Sequence, residues 1–450
     1  MTDQTNLADL SAALLDAARQ AGAEAADVIV VTGTSISVDV RDGALEQADR
    51  AEELDLGLRV LIGRRQACVS ASDARPGTFA RMAERAVAMA REAPEDPWAG
   101  LAAPDQLSAR RDADGLDLFD PAAEPAPDQL LDEARRAEAA ALAVKGISRI
   151  DQASAGYGQR AVWLAATNGF AGGYRRSGRS ISCVAITGDG TGMERDWSSE
   201  SRIFAADLPT PEAIGREAGE RTIARAAPRK PPSGAFPVVF DERVAGSLIA
   251  HLGAAINGTA IARGASWLRD AMGEAVLPFG FDLVEDPLRP RIAGTRPFDA
   301  EGLTTARRTL VRDGVLQGWV LDLGTARKLG LTSTGNATRG PSSPPSPSLS
   351  NVELTQGSRS RDDLLRDMGR GLLVTSLIGA TINPTTGDYS RGASGFWVEG
   401  GEIRFPVNEC TIAGNLREML TRLTPANDAR RHLSVVVPSL LVEGLTIAGA

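Results

Sequence analysis

Alternating apolar and polar residues predict antiparallel strands in the first half of the chain, with amphipathic helices between them. Ile36, Val38 and Val40 alternate with polar residues up to Asp42-Gly43, a dipeptide typical of a two-residue hairpin turn. The order of a helix followed by strands appears twice before residue 205, which suggests an internal duplication.

Changes in composition predict where the domains end. Residues 92–127 are rich in Pro, Ala and Asp and predict an extended surface connection. Residues 228–233 are rich in Lys, Pro and Ser and predict a linker. We therefore predict the α+β class with two domains. The N-terminal domain of helices and antiparallel strands covers 1–227, and a β-rich C-terminal domain with a central helix covers 234–450.

The central helix is predicted at 241–257, directly after a short apolar strand. The Asp241 carboxylate can accept hydrogen bonds from the free amides of the first helical turn. Apolar side chains recur at helical spacing at Ala245, Leu248, Ile249, Leu252, Ala255 and Ile256. His251 lies on the flank of this stripe, where a lone histidine is more often a structural residue than a metal ligand. We expect the helix to serve as a core and interface element.

Two stretches of the second domain are rich in turn-forming residues. Residues 331–350 contain several prolines and are expected to be extended and weakly ordered. In 371–417 glycines bracket polar residues, and such a loop beside exposed strand edges could hold an extended peptide by strand addition. The candidate residues for a peptide or partner cleft are Thr334, Gly335, Asn336, Asn383, Gly387, Asp388, Ser390, Arg391 and Gly392. Composition alone favours the alternative of tight turns at the end of a sheet.

Charge, cysteine content and hydropathy exclude several classes of protein. The net charge is −9 and no Lys/Arg run occurs, which argues against direct nucleic-acid binding. Cys68, Cys183 and Cys410 stand alone, so neither a disulfide framework nor a zinc knot is expected. No apolar run approaches the ~18 residues of a membrane helix, and the N-terminus lacks a signal-peptide pattern. We expect a cytoplasmic protein without membrane contact.

No catalytic motif emerges from residue spacing. A zinc peptidase helix needs two neighbouring imidazoles and a carboxylate, but His251 and His432 are far apart in the sequence. Ser390 lacks the GxSxG frame of a nucleophile elbow, and Cys410 has no histidine near it in the sequence. A hydrolase that uses Cys410 or Ser390 with a partner brought close by folding stays open as a minor hypothesis.

Several sequence blocks resemble the TldD/TldE (PmbA) family. They are FPVVFDERVAGSLIAHL (236–252), ARGASWL (262–268), EGLTTARRTLVRDGVLQGWVLDLGTARKLGLTSTGNA (301–337) and INPTTGDYSRGASGFWVEGGEIRFPVNECTIAGNL (382–416), with weaker matches at WAGL (98–101) and LDLFDP (116–121). Members of the family were first described as modulators of DNA gyrase and are better understood as a peptidase system. The resemblance spans most of the chain.

The resemblance is to the TldE/PmbA-like branch, which lacks the zinc motif. TldD-like members carry His-Glu-x-x-x-His on the central helix, and these positions fall on Ala250, His251 and Ala255 here. The terminal segment 430–450 also lacks the cysteine that TldD-like members use as a further ligand. The resemblance therefore carries no catalytic residue and no metal ligand over to this chain.

The resemblance implies a non-catalytic subunit of a heteromeric TldD/TldE-type metallopeptidase. Such a complex cleaves unfolded or leader-type peptides, in peptide maturation or antitoxin degradation. The implied partners are a TldD-like subunit, which supplies the zinc, and an extended or unfolded peptide. This chain is expected to bind no cofactor and to be inactive alone. The alternative is a peptide-binding or regulatory homo-oligomer, formed by self-association, without a proteolytic role.

Overall fold

In the computed structural model, which describes residues 2–75 and 77–449, the first half of the chain forms an antiparallel sheet flanked by helices. The helices are α1 (Thr2–Gln20), α2 (Thr78–Glu92), α3 (Pro127–Leu142) and α4 (Pro211–Ala224). The strands are β1 (Ala25–Arg41), β2 (Ala44–Ile62), β3 (Arg65–Ala71), β4 (Ile147–Ala166), β5 (Ala171–Thr187) and β6 (Glu194–Arg202).

Two units with the same order of elements meet at the centre of this sheet. The first contains α1, β1, β2, β3 and α2, and the second contains α3, β4, β5, β6 and α4. The strands lie in the order β3-β2-β1-β4-β5-β6, so the first strands of both units are antiparallel neighbours. The repeated order that the sequence suggested is therefore present in the fold.

The two faces of the sheet have different neighbours because side chains alternate along each strand. On β1, Val28 packs with α1 and α2, and Val38 packs with α3 and α4. Ile29 and Val31 point to the opposite face and pack with Phe298 of the second half. Around residues 28–31 the sheet is therefore covered on both sides, by its own helices and by the rest of the chain, whereas the first part of β2 is exposed.

The connection between α2 and α3 is extended, as predicted, but it also contacts the second half. Its regular structure, within the described residues, is a single 3₁₀ turn at Pro104–Gln106. The Ser108 amide donates to the Gly302 carbonyl at 2.8 Å, and the Arg291 amide donates to the Leu116 carbonyl at 3.0 Å. The connection therefore joins the two halves of the molecule.

The second half is rich in strands, and the predicted α+β class is confirmed. Its helices are α5 (Glu242–Ala255), α6 (Gly258–Ala262), α7 (Leu323–Leu329), α8 (Arg361–Met368) and α9 (Leu416–Thr421). Its strands are β7 (Gly234–Phe240), β8 (Leu283–Glu285), β9 (Arg308–Arg312), β10 (Val315–Leu316), β11 (Ala337–Thr338), β12 (Ser346–Pro347), β13 (Val352–Leu354), β14 (Arg370–Ile382), β15 (Asp388–Glu399), β16 (Glu402–Asn415), β17 (Leu423–Pro425), β18 (Val435–Val436) and β19 (Leu440–Ala448). The helices in the described part of the chain include none that is both long and apolar enough to cross a membrane.

The central helix α5 lies on a curled sheet. The strand order is β16-β15-β14-β7-β19-β17, and an additional pairing of β16 with β19 bends the sheet round on itself. Leu248 and Leu252 of α5 are fully buried in one cluster with Phe240 and Leu372 of the sheet. On the other face, Val239 packs with α8. This packing holds α5 rigidly against β14 and β15.

The halves meet through side chains as well as through the connection. The Arg225 guanidinium donates to the Ser394 hydroxyl at 2.8 Å, and the Asn408 amide donates to the Glu194 carboxylate at 2.8 Å. The strands of the first sheet end before α4, and those of the second half begin at β7. The exact domain ranges, 1–227 and 234–450, stay predictions.

The proline-rich stretch 331–350 is held by the first half of the chain, which does not match the expected weak order. The Arg339 side chain has no solvent exposure and pairs with the Asp27 carboxylate on β1. A Cβ added to Gly57 would lie 2.4 Å from the Pro341 carbonyl oxygen, so the backbone of the stretch rests directly on β2. Prolines remove backbone donors, but contacts from another sheet fix the segment here.

The glycine-rich stretch 371–417 is mostly strand rather than loop. β14 continues to 382 and β15 begins at 388, so only 383–387 form the turn between them. β15 pairs with β14 on one side and with β16 on the other. The expectation of a free strand edge for peptide addition is therefore wrong for β15, because its backbone is already used by two neighbours.

Candidate functional site

α5 begins where the sequence predicted. The Asp241 carboxylate accepts a hydrogen bond from the Arg243 amide at 3.2 Å and caps the helix. Further along, Ala250 is exposed, His251 is half-buried and Ala255 is buried. The three positions that the resemblance predicts for the metal motif therefore carry two methyl groups and one imidazole.

His251 faces β15. Its ring centroid lies 6.0 Å from that of Tyr389, in an edge-to-face arrangement. Its Nε2 atom is buried and has no hydrogen-bond partner among the described residues. Burial lowers the pKa of His251 below its ordinary value, and the positive charge of Arg391 lowers this pKa further. The imidazole is therefore neutral at pH 7.

The side chains around α5 do not fit a metal ion. Zinc sites use three or four His, Cys, Asp or Glu ligands, and no three such side chains in the described parts of the chain could hold an ion together. Beside His251 the charged neighbour is the Arg391 guanidinium, which repels a cation. The metal that the family name implies has no fitting site on this helix.

A cleft of about 1070 Å³ opens between the two halves, next to the first turns of α5. The first half contributes, among others, Arg149, Asp151, Glu194, Arg195, Asp196 and Trp197. The second half contributes Arg243, Ser247, Thr375, Ile378, Arg391 and Ser394, among others. This volume is at the upper end of typical ligand pockets and is large enough for a segment of peptide.

The cleft lining is positively charged although the whole chain is negative. It carries five arginines and three carboxylates, in a chain with a net charge of −9. Arg225 and Arg243 both pair with Asp196, at 3.6 and 3.2 Å. Arg149 contacts a methionine sulfur, and neither it nor Arg391 pairs with a carboxylate in the described portion of the chain. An anion in the cleft would meet unneutralised positive charge.

The cleft also exposes apolar side chains. Ile378 of β14 is 68% exposed and Trp197 of β6 is 51% exposed. Large apolar side chains with this exposure, grouped around a concave surface, are typical of binding sites. The cleft therefore offers both cationic and apolar contacts to a ligand.

Thr334, Gly335 and Asn336 lie outside this cleft, beside β8. The buried Asn336 amide donates to both carboxylate oxygens of Glu285, at 2.8 and 3.1 Å. The Thr334 hydroxyl accepts a hydrogen bond from the Leu321 amide at 2.8 Å. Gly335 has a φ of 68°, which favours glycine. These three candidate residues stabilise a buried turn.

Asn383, Gly387 and Asp388 close the turn between β14 and β15. The Gly387 amide donates to the Asn383 carbonyl at 2.9 Å, and the Asn383 side chain accepts from the Thr385 amide at 3.0 Å. Asp388 accepts from the Thr386 hydroxyl at 2.6 Å, and this hydrogen bond lowers the pKa of its carboxyl. This geometry is that of a tight turn at the end of the sheet.

Of the nine candidate residues, Arg391 lines the cleft. Ser390 and Gly392 are its neighbours on β15, opposite Ala413 and Thr411 of β16. The structure therefore brings Arg391 together with His251 and leaves the group at 334–336 elsewhere.

Neither Cys410 nor Ser390 has the surroundings of a nucleophile. Cys410 is 4% exposed and its thiol donates to the Ala393 carbonyl at 3.2 Å. Burial raises the pKa of this thiol to about 11, which disfavours the reactive thiolate. Ser390 lies within a strand and not at the strand-to-helix turn of a nucleophile elbow.

The sequence did not identify Arg149, Asp196, Arg225, Arg243 and Thr375 as site residues. They come from β4, β6, the end of α4, α5 and β14, and they meet only because the two halves pack together. Arg243 belongs to the sequence block 236–252, but the block does not connect it with the other four residues. No sequence signal could have grouped them.

A second cavity, of about 340 Å³, lies beside the proline-rich stretch. Arg59, Glu301 and Asp322 are among its lining residues. Burial raises the pKa of Glu301 to about 8, and the nearby charge of Asp299 adds to this rise. The Glu301 carboxylate accepts a hydrogen bond from the Leu323 amide at 2.8 Å. This cavity carries a carboxyl group that titrates near neutral pH.

Three domain profiles of the PmbA/TldA metallopeptidases match the chain. Domain 1 matches residues 26–90, the central domain matches 120–226, and the C-terminal domain matches 233–449. The matched regions correspond to the first unit of the antiparallel sheet, its second unit, and the half that contains α5.

Curated relatives match over nearly the full length. Metalloprotease PmbA of Escherichia coli O157:H7 is 37% identical over 430 residues, which cover 95% of this chain and 92% of that protein. The Metalloprotease PmbA homolog of Haemophilus influenzae is 35% identical and covers 97% of this chain and 94% of its own.

Solved structures share the fold. A candidate modulator of DNA gyrase from Bacteroides thetaiotaomicron is 27% identical, with a TM-score of 0.91 and full coverage of both chains. TldE from Thermococcus kodakarensis is 21% identical, with a TM-score of 0.83 over 98% of this chain and 100% of its own, and shows the fold alone. With the domain profiles and the curated relatives, these matches establish that the chain belongs to the TldD/TldE (PmbA) family of metallopeptidases.

Proposed function

We propose that this chain is the non-catalytic subunit of a heteromeric TldD/TldE-type metallopeptidase that cleaves unfolded or leader-type peptides. A TldD-like partner holds the zinc ion and cleaves the peptide, and this chain helps to enclose the peptide. The chain binds no metal and is inactive alone. Peptide maturation and antitoxin degradation are the processes that such a complex would serve.

The observation that carries this proposal is the chemistry of α5. The helix is buried in the core of a metallopeptidase fold, yet Ala250 and Ala255 offer no ligand atoms at the motif positions. His251 lies beside the Arg391 guanidinium, and among the described residues no carboxylate stands next to it that could act as a base. The fold that positions a metal helix is retained, whereas the helix lacks suitable donors, and this supports chemistry in another chain.

The cleft supports the role of holding a peptide. It adjoins α5, is bounded by both halves, and combines unpaired cations with exposed apolar side chains. An extended peptide needs both polar and apolar contacts along a groove. We therefore propose the cleft, with Arg391 on its wall, as this subunit's part of the peptide site.

Co-purification and a peptidase assay test the proposal. The chain is purified alone and after co-expression with a TldD-like protein that carries His-Glu-x-x-x-His, and an unstructured fluorogenic peptide is added with and without EDTA. We expect cleavage only by the complex, and EDTA should abolish it. A partner variant without its motif glutamate serves as the inactive control. Chelator-sensitive cleavage by this chain alone would contradict the proposal.

The same experiments separate the alternatives. A homo-oligomer in gel filtration that captures no TldD-like protein would favour a regulatory peptide-binding role. Cleavage that survives EDTA and is lost in Cys410→Ala or Ser390→Ala would favour a non-metal hydrolase.

We also propose a cytoplasmic location, supported by the free thiols of Cys68, Cys183 and Cys410. Cell fractionation tests this, and recovery in a secreted fraction would contradict it.

A further inference from the structure

Four buried polar atoms with unmet hydrogen-bonding capacity lie where α5, β14 and β15 meet. They are His251 Nε2, Thr375 Oγ1, Tyr389 Oη and Arg391 Nε, and none makes a hydrogen bond of good geometry in the described portions of the chain, although the Tyr389 hydroxyl lies within reach of the Arg391 side chain. His251 contacts Tyr389, while Thr375 and Arg391 both line the cleft. Buried polar atoms are nearly always hydrogen-bonded in folded proteins. Because Thr375 and Arg391 lie on the cleft wall, a ligand in the cleft is the natural source of their missing partners.

The charge of this group defines the ligand. Arg391 has no carboxylate partner among the residues that the structure describes, whereas Arg225 and Arg243 in the same cleft share Asp196. Arginine stays protonated in proteins, so its charge on the cleft wall is not neutralised by the chain. Beside Arg391 lie the neutral hydroxyl of Tyr389 and the half-buried imidazole of His251. The matching ligand group is therefore an anion.

We propose that Arg391, together with the hydroxyl group of Thr375, binds a carboxylate of a peptide that occupies the cleft. A guanidinium offers two parallel N–H donors to the two oxygens of a carboxylate. The Thr375 hydroxyl donates a further hydrogen bond that such an anion accepts. The chain thus carries a fixed cation beside α5.

This inference rests on the proposed function in one respect, namely that the carboxylate belongs to a peptide. The carboxylate has two sources, the C-terminus of the peptide or an internal Asp or Glu side chain. Both present the same planar anion to Arg391. The apolar walls at Trp197 and Ile378 are available to the neighbouring peptide residues in either case.

Calorimetric binding to the purified full-length chain, without a partner, tests the inference. Four unstructured N-acetylated peptides of one length are compared: a free C-terminal acid, its amide, an amide with an internal Asp, and the same amide with Asn. Loss of the matching carboxylate should weaken binding about tenfold or more, because hydrogen bonds to charged groups are the strong ones. The acid/amide and Asp/Asn pairs show which source is used.

Variants test whether Arg391 causes the preference for a carboxylate. Arg391→Gln should remove the preference for the carboxylate, and Arg391→Lys should keep part of it. Arg404→Gln is the matched control, because this arginine lies on the adjacent strand β16 and already pairs with Glu402 at 3.0 Å. Its binding should equal that of the wild type. The peptide comparison needs no variant, so the inference stays testable if Arg391→Gln misfolds.

The two histidines of the chain supply an independent signal. A carboxylate that neutralises Arg391 should raise the pKa of His251 in an NMR titration and leave that of His432 unchanged. Equal binding of acid and amide forms, or no binding by any peptide, overturns the inference. Either result leaves the co-purification test of the subunit role unaffected. Failure to pair with a TldD-like protein would overturn that role without changing the carboxylate preference.

Discussion

Arginine side chains are in opposite situations at two sites where the halves of the molecule meet. In the first, which we call the lock, Asp27 on β1 pairs with both Arg59 of β2 and Arg339 of the proline-rich stretch. Asp27 and Arg59 are each 3% exposed, and the Arg339 side chain is fully buried. In the cleft, Arg391 is half-buried and has no such carboxylate among the described residues.

The difference separates a structural role from a ligand-binding role. A buried ion pair is strongly destabilised when one partner is removed, because the other charge stays buried and unpaired. An arginine on the wall of an open cavity has no such partner to lose. The lock should therefore control the stability of the fold, and the cleft should control binding.

The largest expected effect is that of Asp27→Asn. This change leaves the Arg59 and Arg339 guanidinium groups without their shared carboxylate and should lower the free energy of unfolding by about 3–5 kcal/mol. Urea unfolding followed by circular dichroism measures it. Asp16→Asn is the control, because its pair with Arg19 is exposed and should contribute about 0–1 kcal/mol. Equal effects of the two changes would show that the lock does not hold the halves together.

Gly57→Ala tests the backbone contact beside the lock. The added Cβ would lie 2.4 Å from the Pro341 carbonyl oxygen, so the proline-rich stretch must move away from β2. We expect a loss of about 1–3 kcal/mol in the free energy of unfolding. Gly178→Ala is the matched strand control, because its Cβ would lie 3.9 Å from the nearest atom. Wild-type stability of Gly57→Ala would mean that the stretch is not held as described.

The sequence predicted the parts of the fold that depend on local patterns. Asp42-Gly43 forms the predicted hairpin turn, with φ of 54° and 71°, and Asp241 caps α5 as expected. The prediction from sequence failed where contacts with distant segments determine the local structure. The proline-rich stretch is fixed by Asp27, about three hundred positions away along the chain. Likewise, the sequence did not reveal that β15 pairs with two strands, because its glycine-rich composition is typical of a loop.

The candidate site was predicted only in part for the same reason. Arg391 was singled out because of its glycine-rich surroundings, but the residues that share its cleft come from both halves. Thr334 and Asn336 looked like loop residues, yet their side chains bind buried groups around Leu321 and Glu285. Local composition identifies turns, whereas a cleft between two halves depends on tertiary packing.

Glu301→Gln tests, through its pH dependence, the second cavity, which lies beside the proline-rich stretch and which Arg59 of the lock also lines. Burial raises the pKa of Glu301 to about 8, from about 4.3 in an unfolded chain. The folded state therefore binds the proton more tightly, and this contribution to stability is complete below about pH 4 and is lost as the pH rises through about 8. The variant should lose less stability than the wild type between pH 5 and 9, measured by urea unfolding at each pH.

Exposed Glu418 supplies the control, since Glu418→Gln should reproduce the wild-type pH profile. A Glu301→Gln profile parallel to that of the wild type would show that this carboxyl titrates at its ordinary pKa. The second cavity would then be open to solvent, and the contrast with the cleft would weaken.

Arg391→Gln should have the smallest effect on stability and a distinct effect on its neighbour. No ion pair is lost, so we expect the free energy of unfolding to stay within about 1 kcal/mol of the wild type. Removing the positive charge favours the imidazolium form, so the pKa of His251 should rise. NMR titration of the two histidine side chains measures the shift.

His432 and the Arg404→Gln variant are the controls for this shift, and neither should change. The contrast with the lock depends on both parts of the result. A loss of several kcal/mol in Arg391→Gln would mean that this arginine holds the fold together, as Arg339 does. An unchanged His251 pKa would mean that the guanidinium points away from α5. A stable variant with a raised His251 pKa is expected only if Arg391 is a free cation, placed beside the helix and available to a ligand.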